Sequence, residues 1–170
     1  MSKPEVWLRG PIDGIAPQLQ PVAHALLQAR EDVDAHIAGV SADQLWLRPG
    51  GAASIGFHVR HAAGALDRLF TYARGESLSA AQVAIAKTEA EPDPDADAGA
   101  KLVEQFGRAV DAALAQLRAT DPSRLLDPRG VGRAQLPSSV LGLLFHAAEH
   151  TQRHIGQMIT TVKIVTNLSV

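Results

Sequence analysis

The sequence contains no cysteine, which excludes disulfides, thiolate metal sites and cysteine nucleophiles. Aromatic residues make up only 4% of the chain, whereas apolar residues make up 46%, and much of that share is alanine and leucine. This balance favours helices that pack on one another with their backbones close together. At 170 residues the chain is long enough to form one domain with a substantial core.

The chain also has no long basic run, and its formal net charge is −2. Binding to nucleic acid through a phosphate-neutralising surface is therefore not indicated. No stretch reaches the roughly 18 apolar residues that a membrane span requires. The first ten residues carry Glu5 and Arg9 and lack the apolar core of a signal peptide. We therefore expect a cytoplasmic protein without nucleic-acid or membrane partners.

Hydrophobic spacing, serine caps and glycine stops predict four main helices and a short extra one. The predicted helical segments are, in chain order, from about 17–21 to 39, a short turn over 42–45, 54–75, 80–87, 100–119 and from 138 or 139 to about 163–165. Residues 88–99 are rich in Asp, Glu, Pro and Ala, which predicts an exposed connection. Residues 121–137 contain three prolines and two glycines, which predicts a long excursion with a small hairpin near residues 129–132.

Three of the seven histidines lie four residues apart on the last predicted helix, as His146, His150 and His154. This spacing places them in one stripe along the helix. Imidazole is the commonest protein ligand for zinc, nickel, copper and iron. Neighbours in the stripe are about 6 Å apart along the helix axis, but the outer two are about 12 Å apart. A site for one ion would therefore use an adjacent pair and a ligand from another helix.

The second predicted helix supplies His58 and His61, which share a face because they are three residues apart. Either could complete a site with His150 and His154, and spacing alone does not choose between them. The alternative is that these histidines are hydrogen-bonded side chains at the core edge or the surface. The protein would then be a non-catalytic helical binding or stress-response bundle, which the absence of an evident general base supports.

Several other kinds of site fail on inspection. A zinc protease of the His-Glu-x-x-His type needs glutamate directly after its first histidine, but Ala147 follows His146 and Thr151 follows His150. A ferritin-like di-iron bundle needs Glu-x-x-His, and no histidine here has an acidic residue three positions before it. The chain also lacks a Gly-x-Ser-x-Gly turn. A histidine-only metal site remains the favoured interpretation.

Charged and polar neighbours of the histidines are predicted to have supporting roles. Glu149 is expected to pair with Arg153 one helical turn away, and Asp67 with Arg68 in a solvated or helix-end pair. Gln152, Arg153 and Gln157 flank the histidine stripe and could support the ligands.

Two segments resemble the DinB/YfiT-like superfamily of metal-dependent enzymes with a DinB-like domain. They are Ser-Ile-Gly-Phe-His-Val-Arg-His-Ala-Ala-Gly over 54–64 and His-Ala-Ala-Glu-His-Thr-Gln-Arg-His-Ile-Gly-Gln over 146–157. The closing His-x-x-x-His-x-Gly-Gln is the more specific of the two. Length and helix layout also fit, so the resemblance covers nearly the whole chain, and we expect residues 1–170 to form a single domain of this type.

The resemblance implies an all-α, up-down-down-up four-helix bundle whose long crossovers would be residues 88–99 and 121–137. It implies a divalent metal ion, zinc or nickel, bound by His61, His150 and His154. His58 and His146 are extra histidines that could add to the site or support it. The implied activity is that of a hydrolase or a thiol-dependent transferase acting on a small molecule, with a low-molecular-weight thiol as candidate partner. Homodimers are common in such a family. No catalytic residue beyond the metal ligands is predicted.

Overall fold

A computed structural model describes residues 3–167, which form an all-α fold with one small hairpin. The helices are α1 (Gln20–Ile37), α2 (Ala42–Trp46), α3 (Ile55–Ala73), α4 (Ala80–Thr88), α5 (Ala98–Ala119) and α6 (Val140–Thr166). Strands β1 (Pro128–Val131) and β2 (Leu136–Ser139) pair antiparallel, which confirms the predicted hairpin. Within residues 3–167, no helix is both long enough and apolar enough to cross a membrane.

Four of these helices begin directly after a serine, as the sequence predicts. In each case the serine hydroxyl accepts a hydrogen bond from the backbone N–H three residues later, which satisfies one donor of the first turn. The serines are Ser41 before α2, Ser54 before α3, Ser79 before α4 and Ser139 before α6. The choice left open between two serines at the start of α6 is thus settled in favour of Ser139.

The core lies where α3 packs against α5 and α6, and where α1 packs against the same two helices. The pair α3 and α6 makes the most extensive of these contacts. Buried alanines on both helices, including Ala62 and Ala147, let the two backbones approach closely. Large buried side chains such as Phe106 and Ile155 fill the remaining space. This close packing turns the histidine-bearing faces of α3 and α6 toward each other.

The connection between α4 and α5 differs from the prediction of a fully exposed segment. Glu89 is only 3% exposed, and α5 already begins at Ala98. The prediction was wrong at Glu89 because its carboxylate binds side chains of α3 instead of water. Composition alone does not separate an acidic residue that faces solvent from one that pairs with a buried cation.

The same connection is held by two further hydrogen bonds, one from α3 and one from α2. Arg60 on α3 donates from Nη1 to the carbonyl oxygen of Glu91 over 2.6 Å. Trp46 at the end of α2 donates from Nε1 to the carbonyl oxygen of Asp93 over 2.9 Å. The Arg60 guanidinium also lies over the Trp46 ring, 4.6 Å from its centre. Residues 89–93 therefore follow a defined path along α3.

Candidate metal centre

Helices α3 and α6 bring His61, His150 and His154 together. Each offers one ring nitrogen, and the three nitrogens all lie within 4.8 Å of one another. His61 Nε2 is 3.0 Å from His150 Nε2, and the His61 and His154 rings are 4.5 Å apart between centres. The arrangement is an adjacent pair from one helix plus one ligand from another, which is what the spacing on α6 requires.

The three side chains fit a divalent transition-metal ion. Zinc binds histidine nitrogen at about 2.0–2.1 Å, so two nitrogens of a tetrahedral site lie about 3.3 Å apart. The nitrogens of the cluster are already at comparable separations, and small side-chain rotations would bring them to this distance. A set of three imidazoles suits zinc, nickel and copper better than calcium or magnesium, which prefer oxygen ligands.

A buried carboxylate lies behind His61, on the side away from the other two histidines. His61 Nδ1 is 2.7 Å from Glu89 Oε2, and Arg68 donates from Nη1 to Glu89 Oε1 over 2.6 Å. Burial by itself would raise the pKa of Glu89, but the hydrogen bonds from His61 and Arg68 outweigh it and hold that pKa below its usual value. Glu89 is therefore a charged acceptor, and His61 donates to it from Nδ1.

The remaining two predicted histidines lie outside the cluster of three. His58 is buried, and its Nδ1 is 3.1 Å from Nδ1 of His154, so it lies against one member of the cluster only. The side chain of His146 is 52% exposed and lies 3.4 Å from the carboxylate of Glu149. Of the two candidates on α3, the geometry therefore brings His61 to the pair on α6.

The surroundings favour neutral imidazoles. The pKa of His154 is lowered to about 4, mainly by burial and further by the neighbouring His61 and His150. Burial is also the main cause that lowers the pKa of His150 and of His58. Metal binding requires the unprotonated ring, so the fold holds these side chains in the form that can bind an ion.

A groove of about 660 Å³ opens beside His58 and His154. Its wall includes the ring of Phe57, which also stacks on His61 with centres 5.2 Å apart. Arg153 and Gln157 contribute polar groups to the same wall. The volume is in the range of small-molecule sites, and the mixed wall could hold a ligand with both apolar and polar parts.

The predicted supporting pairs are partly confirmed. Arg153 Nε donates to Glu149 over 3.1 Å, as expected from their spacing. The pair Asp67 and Arg68 is wrong, because Arg68 binds Glu89 and Asp67 accepts from a glutamine of α4. Gln152 was also predicted to support the histidines.

Gln152 has a different role in the structure. Its Nε2 donates to the carbonyl oxygen of Ala25 over 2.7 Å, which ties α6 to α1. Its side chain also forms part of the groove wall.

Glu89 was not predicted as a site residue, although α3 carries a signal for it. Gly64 lies between His61 and Arg68 at a spacing of three and four residues, so all three share one face of α3. Glycine makes a helix less stable than alanine does, by about 1 kcal/mol. An interior glycine is therefore a sign that another group packs closely against the backbone there. A Cβ at Gly64 would lie 2.3 Å from Glu89 Oε1.

Fold and site together define an all-α protein in which α3 and α6 bring three histidines to one point. The sequence profile of the DinB superfamily matches residues 25–158, which is most of the chain. The protein belongs to the DinB superfamily, and the family predicted from the two histidine segments is confirmed. No curated protein matches the chain.

Proposed function

We propose that this protein is a metal-dependent enzyme in which His61, His150 and His154 hold one divalent ion, zinc or nickel. We further propose that it acts on a small molecule as a hydrolase or a thiol-dependent transferase. The observation that carries the proposal is the meeting of three ring nitrogens from α3 and α6 within 4.8 Å. Membership of the DinB superfamily and the buried carboxylate behind His61 add support.

The proposal includes an up-down-down-up four-helix bundle made of α1, α3, α5 and α6. Each of these helices packs against two of the others, which is the contact pattern of such a bundle. The segment with α4 and residues 89–97 is long enough for the crossover between the two parallel helices of that order, and the excursion that contains the hairpin joins α5 to α6. The histidine cluster would then lie on the inward faces of α3 and α6.

The chain's own residues would hold the ion and shape the space beside it. When bound, a divalent ion lowers the pKa of a coordinated water or thiol toward neutrality and so supplies a nucleophile. Burial keeps His150 and His154 neutral and available as ligands. Phe57 covers one side of His61 and limits the access of water. Arg153 and Gln157 are placed to bind polar groups of a substrate in the groove.

Within residues 3–167, no carboxylate is among the residues that line this groove. A hydrolase of the zinc-protease type has a glutamate there as general base. A thiol loses its proton far more readily than water does, so a reaction with a thiol as nucleophile depends less on such a base. Between the two activities proposed, the groove therefore favours thiol transfer to a small electrophile. The thiol itself and the homodimer stay predictions that rest on the family resemblance.

The test is elemental analysis of protein purified without an affinity tag or chelator. We expect about one equivalent of zinc or nickel per chain, as for a site of three histidines. His61→Ala and His150→Ala should each reduce the metal content to background. His146→Ala is the matched control on α6 and should retain the metal. A wild-type protein that neither contains nor takes up zinc or nickel would overturn the proposal and favour the non-catalytic bundle.

A further inference from the structure

We propose that Glu89 is a positioning residue of the metal centre, which fixes the tautomer of His61 and directs His61 Nε2 toward the ion. This inference rests on the proposed function for the identity of the group that Nε2 binds. It deepens that function by making the connection between α4 and α5 part of the site. The observation that carries it is a buried carboxylate bound at once to His61 and to Arg68.

The surface of α3 has room for the carboxylate of Glu89. His61, Gly64 and Arg68 follow one another along a single face of this helix. Because Gly64 has no side chain, a gap opens between the imidazole and the guanidinium. The carboxylate of Glu89 fills that gap, with one oxygen toward each neighbour. Its side chain is only 4% exposed, so water has little access to compete for these bonds.

The hydrogen bond to Glu89 decides which nitrogen of His61 carries its proton. A neutral imidazole carries one N–H, and the other nitrogen holds the lone pair that binds a metal. A charged carboxylate can only accept a hydrogen bond, so His61 must donate from Nδ1. The lone pair then lies on Nε2, which is the nitrogen that faces His150 at 3.0 Å. Arg68 keeps the carboxylate charged and oriented by its own hydrogen bond.

Two hydrogen bonds anchor the segment that follows Glu89. Arg60 holds the carbonyl oxygen of Glu91, and Trp46 holds that of Asp93. These bonds fix the backbone two and four residues beyond Glu89. The anchored backbone of residues 89–93 therefore sets the position of the carboxylate. Glu89 does not behave as a flexible surface side chain. Removal of such a partner of a metal-binding histidine typically weakens metal affinity by about 10–100-fold.

The first measurement uses metal-free protein and the ¹⁵N chemical shifts of the His61 ring, recorded near pH 8, well above the pKa of about 6.5 of an ordinary imidazole. We expect the Nδ1–H tautomer in the wild type and a mixture containing Nε2–H in Glu89→Ala. Glu91→Ala is the matched control, because Glu91 is exposed on the same connection, and it should leave the tautomer unchanged. Retention of the pure Nδ1–H form in Glu89→Ala would overturn the inference.

The second measurement is zinc affinity by competition with a chelator. We expect Glu89→Ala to bind zinc about 10–100-fold more weakly than the wild type, and Glu91→Ala to bind within about twofold. Glu89→Gln keeps the size and one accepting oxygen, so it should bind with intermediate affinity and serves if the alanine variant does not fold. Wild-type affinity in Glu89→Gln and Glu89→Ala alike would refute the role of Glu89. A wild type that binds neither zinc nor nickel would refute the proposed function instead, while the tautomer in metal-free protein still decides the role of Glu89.

Discussion

Gly64 leaves the space that the carboxylate of Glu89 occupies. A Cβ at this position would lie 2.3 Å from Glu89 Oε1 and 2.7 Å from Arg68 Nη1. Alanine normally stabilises a helix interior by about 1 kcal/mol relative to glycine. In Gly64→Ala the methyl group must instead displace a buried, paired carboxylate, and breaking such a pair by removing one partner costs about 3–5 kcal/mol. We expect a net loss of about 2–4 kcal/mol in the free energy of unfolding, measured by urea denaturation.

The control for this variant is Gly107→Ala on α5. No heavy atom lies within 4 Å of a Cβ at Gly107, so the alanine meets open space. This variant should gain up to about 1 kcal/mol in the free energy of unfolding. Equal gains in the two variants would mean that Glu89 does not need the gap at Gly64.

Thr151 offers a second test of stability, next to the histidine pair on α6. Among residues 3–167, its Oγ1 is the one buried side-chain polar atom without a hydrogen-bond partner. An unsatisfied buried hydroxyl costs about 1–3 kcal/mol, and valine has nearly the same shape. Thr151→Val should therefore raise the free energy of unfolding by about 1 kcal/mol, measured by thermal or urea denaturation.

Thr161→Val on the same helix is the matched control. Thr161 is also buried, but its hydroxyl donates to the carbonyl oxygen of Gln157 over 2.9 Å. Losing that bond should leave stability unchanged or reduce it by up to about 1 kcal/mol. A gain at Thr161 as large as that at Thr151 would point to the helix propensity of valine, and not to the unsatisfied hydroxyl.

The boundaries of the helices could be predicted because their signals are local. Ser54 and Ser79 cap the residues that directly follow them, and the hydrophobic spacing of α3, α5 and α6 repeats every turn. The hairpin could be predicted from glycine and proline in one short segment. None of these features depends on residues far away in the chain.

The parts of the site that the sequence did not settle depend on tertiary packing. Glu89 lies 28 residues from His61 and 21 from Arg68, and only the docking of the connection brings them together. The choice between His58 and His61 depends on the rotation of α3 about its own axis against α6, since a spacing of three places both on one side. Packing sets that rotation, and the pattern of histidines does not encode it.

His58 gives a direct test of that rotation. It lies against His154 through an Nδ1 to Nδ1 distance of 3.1 Å, outside the cluster of three nitrogens. We expect His58→Gln to bind one equivalent of zinc with about tenfold lower affinity, because a neighbour of a ligand is lost and not the ligand itself. His61→Gln should lose stoichiometric binding altogether. Chelator competition and elemental analysis distinguish the two, and complete loss of zinc in His58→Gln would place His58 among the ligands.

The neutral histidines also predict how the metal-free protein responds to acid. The pKa of His154 is lowered to about 4 in the folded chain, mainly by burial and further by His61 and His150. In the unfolded chain a histidine has a pKa of about 6.5, so between these values the unfolded chain binds a proton that the folded chain does not. The free energy of unfolding should therefore fall as the pH decreases from about 6.5 to about 4, with no contribution from His154 above that range. His154→Gln should show a shallower decline in chelator-treated protein by urea denaturation at several pH values, and an equally steep decline would mean that His154 is not held neutral by the fold.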